Sequence, residues 1–216
     1  MKNGGLFPRF YDIIIKKKRD KMEWKFFEGE SPEFSTRDWH EGRESAHHLD
    51  EATHVNRILK ASEFISKAVE LGARSVVDLG CGDGGLLFLI KDQPYRSWGY
   101  DLMPTNVDHA VNFRGVDARY TDFKKDSDIE YGDVAVMTEV LEHLEFPHET
   151  IKNLPSKFLI ASSPFIENDE VHYEFHLWAW DVDGYKKMIE DSGYKVIETA
   201  LLEWSQVLFC VREDVE

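Results

Sequence analysis

The chain has few cysteines and no long apolar segment. Cys81 and Cys210 are the only cysteines among its 216 residues, too few for the disulfide framework of a small secreted domain. No apolar run approaches the roughly 20 residues that span a membrane. The apolar stretch from Tyr11 to Ile15 is too short for a signal peptide. We therefore expect a cytoplasmic protein that does not enter a membrane.

Basic residues are also scarce. The chain has 26 lysines and arginines against 41 aspartates and glutamates, which gives a formal net charge of −15. A surface this acidic repels phosphate backbones, so RNA is disfavoured as a partner and a small molecule is preferred. The one dense basic cluster, from Lys16 to Lys21, is more typical of a solvated helix end than of a binding site.

The first 53 residues differ in character from the rest. Pro8 and Pro32 interrupt any long helix there. Five aromatic residues in this stretch carry too much apolar surface to be left in water: Trp24, Phe26, Phe27, Phe34 and Trp39. We predict that residues 1–53 form an arm or lid folded onto a single domain formed by residues 54–216.

The chain from residue 54 onward alternates between helix-like and strand-like segments. An amphipathic pattern predicts a helix from His54 to Leu71. The predicted strands are Ser75–Leu79, Ser97–Asp101, a short one before Asp122, Asp133–Thr138 and Phe158–Ser162, with helices at Gly84–Ile90, near Val107 and at Gly184–Ser192. This order predicts an α/β fold with a mostly parallel sheet covered by helices on both faces. Two final strands, Lys195–Leu201 and Gln206–Val211, are close enough to be antiparallel.

A glycine-rich turn follows the first of these strands. The segment Val77–Gly85 reads VDLGCGDGG, and its glycines allow a sharp turn that opens a helix and brings backbone amides close to a ligand. The glycine spacing alone also fits a dinucleotide site and is a weak signal. Asp78 suits a cationic ligand better than a pyrophosphate, and Asp101 ends the next strand, where a carboxylate can bind ribose hydroxyls.

Together these features resemble motif I of class I S-adenosylmethionine-dependent methyltransferases, over roughly Ser75 to Glu213. The resemblance implies a Rossmann-like, seven-stranded sheet with a reversed last strand, and S-adenosylmethionine as the cofactor. It implies that the turn packs against the methionyl group, and that later residues bind the ribose and adenine. The implied cofactor-binding residues are Asp78, Gly80, Cys81, Gly82, Asp101, Leu102, Asp122 and Phe123. Asp117 competes with Asp122 for the adenine amino group, but its spacing to the fourth strand looks too long.

A second motif, E-x-x-E-H, follows the fourth strand. Offsets of three and four predict that Glu139, Glu142 and His143 share one face of a helical turn, where they suit a hard cation if a further ligand is supplied. The string resembles two families, the small-RNA 3′-terminal 2′-O-methyltransferases and the ubiquinone-biosynthesis O-methyltransferases. The first resemblance implies a Mg²⁺ or Mn²⁺ site completed by a later histidine, here His176, with His172 as a second candidate.

The same residues also allow a function without metal. In that case they line the cofactor pocket, and a histidine acts as general base. The base candidates are His143, His176, His40, His47 and His48, and we name His143, Glu142 and His176 as the catalytic set. The sequence thus predicts methyl transfer to an oxygen or nitrogen nucleophile, with an oxygen of a small-molecule or sugar- or nucleotide-like acceptor preferred. The alternatives are a metal-dependent RNA 2′-O-methyltransferase and a non-catalytic cofactor-binding module of the same fold.

Overall fold

Seven strands build the central sheet of the computed structural model, which describes residues 23–26, 48–122 and 128–212. The seven strands are β2 (Ser75–Leu79), β3 (Arg96–Asp101), β4 (Ala118–Tyr120), β5 (Val134–Thr138), β6 (Phe158–Pro164), β8 (Tyr194–Leu201) and β9 (Ser205–Arg212). Their order across the sheet is β4-β3-β2-β5-β6-β9-β8. The pairings among β2 to β6 are parallel, whereas β9 runs antiparallel to both of its neighbours. The predicted parallel sheet and its reversed last strand are confirmed.

Helices cover both faces of this sheet. They are α1 (Ala52–Glu70), α2 (Gly85–Ile90), α3 (Pro104–Asn112), α4 (Pro147–Lys152) and α5 (Val182–Asp191). Alternate residues of a strand point to opposite faces, so Val76 packs into the core beneath α1 while Val77 packs into the core beneath α5. Pro104 and Pro147 each start a helix, a position where the missing amide proton costs nothing.

A second, two-stranded sheet was not predicted. The strand β1 (Glu23–Lys25) pairs antiparallel with β7 (Trp178–Trp180). Trp24 is buried in this pairing, and Trp180 donates its indole N–H to the Glu23 carboxylate at 2.9 Å. The N-terminal chain therefore does contact the main domain at β7. Most of the predicted arm, including Phe34, lies outside the described residues, so its role as a lid stays a prediction.

Three further expectations concern the cysteines, membrane-spanning helices and the basic cluster. Cys81 and Cys210 are both buried free thiols, in agreement with the absence of a disulfide framework. Among the helices described in residues 48–212, not one combines the length and apolarity needed to cross a bilayer. The predicted basic cluster from Lys16 to Lys21 falls outside the described residues.

Candidate functional site

The glycine turn connects β2 to α2 at the carboxyl end of the sheet. Gly80 and Gly82 adopt φ values of +86° and +55°, a region that L-residues with a side chain rarely enter. A Cβ atom at Gly80 would collide with the Val140 side chain, and one at Gly82 would collide with the His48 ring. The turn therefore requires glycine at both positions, because the neighbouring chains leave no room for a side chain.

Two carboxylates stand at the ends of the adjacent strands β2 and β3. Asp101 accepts hydrogen bonds from the Gly82 and Met103 amides, both at 2.8 Å, and so ties the glycine turn to the start of α3. Asp78 is fully buried, and its Oδ1 atom has no hydrogen-bond partner among the described residues. A buried carboxylate oxygen without a partner is costly, which indicates that a bound ligand completes this position.

Burial raises the pKa of both carboxylates. Burial, followed by the charge of Asp101, raises the pKa of Asp78 to about 7, against an opposing effect of the Arg57 guanidinium. Burial likewise raises the pKa of Asp101, although its backbone hydrogen bonds act in the other direction. Net negative charge is therefore crowded at the turn, and a cationic group such as an α-ammonium fits it.

The predicted cofactor-binding residues lie together at this edge. Leu102 directly follows β3, and Asp122 follows β4 by two residues and is buried. Asp117, the competing assignment, is instead half-exposed and paired with Arg119 at 2.9 Å. This arrangement favours Asp122 for the adenine side, while Phe123 lies outside the described residues. The individual roles of these residues remain predictions.

A buried ionic network behind the turn was not predicted from the sequence. The Asp83 carboxylate contacts His48 Nδ1 at 2.8 Å and forms an ion pair with Arg114, whose Nε donates to the Asp83 carbonyl at 2.8 Å. Burial would raise the pKa of Asp83, but the hydrogen bonds and charges of His48 and Arg114 lower it to about 2. The partners lie 35 and 31 residues away along the chain, a separation that local patterns do not reveal.

The E-x-x-E-H segment follows β5 at the neighbouring strand end. A short 3₁₀ helix spans Leu141–His143, and Glu139 precedes it with φ of +56°. The prediction that Glu139, Glu142 and His143 share one face of a helical turn is therefore wrong for Glu139. This residue lies outside the helix and accepts a hydrogen bond from the Ser162 hydroxyl at 2.8 Å.

Three predicted residues do converge. Glu142, His143 and His176 each place one potential ligand atom within 4.8 Å of the others. Glu139 does not belong to this group of three. The other candidate, His172, is exposed and stacks on Phe26, with ring centroids 3.7 Å apart, so His176 occupies the position that the sequence motif left open. We refer to Glu142, His143 and His176 below as the carboxylate–imidazole cluster.

Glu142 is the most unusual member of this cluster. Its side chain is fully buried, and neither carboxylate oxygen has a hydrogen-bond partner among the described residues. Burial, and then the charge of Glu139, raises the pKa of Glu142 well above its ordinary value. One carboxylate and two imidazoles form a donor set suited to a divalent transition metal such as Mn²⁺. The residues present therefore fit a cation, because its charge would compensate the buried carboxylate.

Arg57 of α1 is the second site residue that the sequence did not single out. It is 3 % exposed, its Nε and Nη1 atoms have no hydrogen-bond partner among the described residues, and Nη2 contacts His54 Nδ1 at 2.9 Å. Its charge lowers the pKa values of Asp78, Glu139 and Glu142. The guanidinium therefore links the glycine turn to the cluster electrostatically. In the sequence, the signal for this residue is an arginine on the apolar face of an amphipathic helix.

Of the remaining predicted base candidates, His48 is the one that the structure describes. His48 is occupied by Asp83, through both its ring and its backbone amide. His40 and His47 lie outside the described residues. His143 and His176 remain, with ring centroids 4.7 Å apart in an edge-to-face arrangement. The site thus combines a ligand-accepting turn, crowded carboxylates and paired imidazoles at the carboxyl ends of adjacent parallel strands, where ligands bind in open α/β sheets.

Comparisons with known proteins agree with this geometry. A family model described as a methyltransferase domain matches residues 46–199, a segment that includes the glycine turn, the cluster and Arg57. Comparison with curated protein sequences gives no match.

Several solved structures share the fold. The magnesium protoporphyrin IX methyltransferase of Synechocystis PCC 6803 is 17% identical, with a TM-score of 0.60 over 85% of this chain and 95% of that chain. The N-methyltransferase NodS of Bradyrhizobium japonicum WM9 is 14% identical, with a TM-score of 0.64 over 85% and 100%. The methyltransferase domain of bacterial CtHen1-C is 19% identical, with a TM-score of 0.57 over 73% and 98%. At these identities the likeness establishes the fold.

Proposed function

This chain belongs to the family of methyltransferase domains, and we propose that it methylates a hydroxyl oxygen of a small-molecule or sugar- or nucleotide-like acceptor. As an S-adenosylmethionine-dependent methyltransferase, it acts on an acceptor that lies next to the glycine turn. The observation that carries the choice of an oxygen acceptor is the carboxylate–imidazole cluster, in which Glu142, His143 and His176 converge within 4.8 Å. A hydroxyl must lose its proton during the reaction, and the cluster provides groups able to accept it.

The cluster lies next to the cofactor turn. Val140, between Glu139 and the 3₁₀ helix, abuts Gly80 so closely that a Cβ atom there has no room. The strands β2 and β5, which precede the two segments, are paired in parallel with Asp78 opposite Val136. An acceptor held at the cluster is therefore close to a cofactor held at the turn, and such alignment of two reactants is a main source of rate enhancement.

The reaction is a direct displacement. A lone pair of the acceptor oxygen forms the new bond to the methyl carbon, the carbon–sulfur bond breaks with its electrons going to sulfur, and S-adenosylhomocysteine leaves. In a cluster without a cation, the hydroxyl proton passes to an imidazole nitrogen of His143 or His176. Glu142, whose carboxylate is buried beside them, stabilises the positive charge that this imidazole gains.

We further propose that the cluster holds Mg²⁺ or Mn²⁺. Neither carboxylate oxygen of Glu142 has a hydrogen-bond partner within the part of the chain that the structure describes, and this supports the proposal, since a cation would satisfy both oxygens. When bound, such a cation supplies positive charge that lowers the pKa of an adjacent hydroxyl. The protein's own residues would hold it through Glu142, His143 and His176.

The E-x-x-E-H string together with His176 favours one further candidate, metal-dependent 2′-O-methylation of RNA. Charge argues against it. The chain carries a net charge of −15, and the loop after β6 that leads to His176 adds Glu167, Asp169, Glu170 and Glu174. Phosphate groups would be repelled from this side of the site. We therefore prefer a small-molecule or sugar- or nucleotide-like acceptor over polyanionic RNA.

The test is methyl transfer from labelled S-adenosylmethionine to panels of hydroxylated small molecules, sugars, nucleosides and short RNA, with release of S-adenosylhomocysteine as the readout. We expect turnover with a hydroxylated acceptor other than RNA, loss of turnover in EDTA and recovery with Mn²⁺. Glu142→Gln should lower turnover at least about 100-fold while cofactor binding persists. Glu149→Gln, an exposed glutamate on α4, is the matched control.

The outcomes separate the alternatives. Turnover with RNA alone would establish the second candidate, and full turnover in EDTA would contradict the cation but leave the imidazole base. Cofactor binding without turnover on any acceptor in the panels would support a non-catalytic binding module.

A further inference from the structure

The orientation of His176 is set by an acidic residue that no sequence motif includes. His176 Nδ1 lies 2.7 Å from Oε2 of Glu167, and the exposed fractions of the two side chains are 10% and 13%. An ionised carboxylate only accepts hydrogen bonds, so Nδ1 must carry the proton of this bond. In the neutral ring the other nitrogen, Nε2, is then the one with the available lone pair.

The same argument applies to His143. Its Nδ1 lies 3.1 Å from the carbonyl oxygen of Phe175, and a carbonyl also only accepts. Both cluster histidines therefore direct Nδ1–H to acceptors on one loop, residues 167–176, which leads from β6 towards β7. In both rings Nε2 is the nitrogen able to bind a cation or accept a proton.

Glu167 is itself fixed by this loop. Its Oε1 atom accepts the Tyr173 amide at 3.3 Å, and the His176 amide donates to the Tyr173 carbonyl at 3.0 Å. The Asn168 side chain accepts the Glu170 and Val171 amides at 2.8 and 3.2 Å. One Glu167 oxygen thus holds the loop backbone while the other holds the imidazole, so the carboxylate that orients the ring is itself held in place by the loop.

We propose that Glu167 is a positioning residue, which holds His176 in the Nδ1–H tautomer with Nε2 directed to Glu142. This inference rests on the proposed function of the cluster. A carboxylate behind a ligating histidine fixes the tautomer and raises the basicity of the ligand atom, and its removal lowers metal affinity about 10- to 100-fold. Glu167 would therefore set the affinity of the cluster for a divalent cation without contacting it.

The experiment compares full-length variants by two readouts that do not depend on turnover. Nitrogen-15 spectra of the histidine rings report the tautomer in metal-free protein, and electron paramagnetic resonance titration reports the Kd for Mn²⁺. We expect the Nδ1–H tautomer of His176 in the native protein. Glu167→Leu should produce a tautomer mixture and weaken Mn²⁺ binding about 10- to 100-fold. Glu167→Gln, which keeps a neutral acceptor, should fall between the two.

Glu174→Leu is the matched control, because Glu174 belongs to the same loop, carries the same charge and is exposed. It should resemble the native protein in both readouts.

If native protein binds Mn²⁺ and Glu167→Leu matches Glu174→Leu in tautomer and Kd, the inference is overturned. If native protein does not bind Mn²⁺, the cation of the proposed function is contradicted, and the tautomer of Glu167→Leu alone then decides whether Glu167 positions the ring. If Glu167→Leu fails to fold, Glu167→Gln provides the comparison with native protein, because it should still fold and bind S-adenosylhomocysteine.

Discussion

The His48 ring nitrogen Nδ1 lies 2.8 Å from Oδ1 of Asp83, although 35 residues separate the two in the chain. The contact brings the segment before α1 against the cofactor turn, because the same histidine ring occupies the space beside Gly82. Asp83 is fully buried and also paired with Arg114. One carboxylate thus joins the N-terminal segment, the glycine turn and the chain after α3.

We expect Asp83→Asn to lower the free energy of unfolding by about 3 kcal/mol, since it leaves the buried Arg114 cation without its counter-charge. The pKa of Asp83 is lowered from 3.8 to about 2 by its partners, so its stabilising effect is complete above pH 4 and is lost as the pH falls towards 2. Urea unfolding between pH 3 and 7 measures this. The difference in free energy of unfolding between native protein and Asp83→Asn should narrow only below pH 4.

The control is Asp117→Asn, which removes a carboxylate from the half-exposed pair with Arg119. An exposed pair contributes about 1 kcal/mol or less. Equal losses of unfolding free energy in Asp83→Asn and Asp117→Asn would show that the Asp83 network stabilises the fold no more than an exposed ion pair does.

Gly82→Ala should weaken cofactor binding while the protein remains folded. The added Cβ would meet the His48 ring in the space next to the cofactor turn, so the turn and His48 must separate. Gly115→Ala isolates this effect, because Gly115 has a similar φ of +66° but open space around its Cβ position. We expect affinity for S-adenosylhomocysteine, measured by calorimetry, to fall at least about tenfold for Gly82→Ala. A similar fall for Gly115→Ala would attribute the loss to backbone strain alone.

The sequence predicts the central sheet well because strands such as β2, β5 and β6 are short apolar runs bounded by turn residues. It also predicts the positions of Asp78, Gly82 and Asp101, because they lie at or just after the ends of consecutive strands. Pairing between distant segments is not visible in this way. The three-residue strands β1 and β7 exist only because they pair with each other, and Trp178 alone gives no strand signal.

Prediction of the candidate site from the sequence is limited in the same way. The motif correctly names Glu142 and His143 as members of one cluster, but the helical offsets of three and four fail, because they start from Glu139, whose φ of +56° is a local backbone feature that a periodic pattern does not contain. Arg57 and Glu167 reach the site from α1 and from a loop, so their roles depend on tertiary packing. His176 could be proposed only by resemblance, and its choice over His172 required the fold.

Cofactor binding should depend on the ionisation of Asp78. Its pKa is raised from 3.8 to about 7, chiefly by burial, so in the ligand-free protein the carboxyl is largely protonated below pH 7. A cationic α-ammonium binds the ionised form better. We expect affinity for S-adenosylhomocysteine to rise by up to about tenfold per pH unit between pH 5 and 7, and to level off above that.

Calorimetry in buffers of different ionisation enthalpy should detect release of about one proton per ligand bound at pH 6. Asp78→Asn should bind more weakly at pH 7.5 and show a flat profile. A native profile that is already flat from pH 5 to 7 would mean that the ammonium does not contact Asp78.

Arg57 should determine the pH range over which cofactor affinity rises. Its guanidinium is the cation that opposes the burial of Asp78 and also acts on Glu139 and Glu142. Removal of that charge in Arg57→Met should raise the pKa of Asp78 further, because the carboxylate would then be buried beside Asp101 without compensation. The midpoint of the affinity profile should therefore move to a pH above 7, whereas Arg57→Lys, which keeps the charge, should leave it near the native value. An unchanged midpoint in Arg57→Met, with affinity reduced equally at every pH, would instead mean that the guanidinium binds the ligand directly through Nε and Nη1, which lack partners among the residues described. The profile of one variant thus distinguishes electrostatic tuning of Asp78 from direct contact, because only tuning changes the pH at which binding begins.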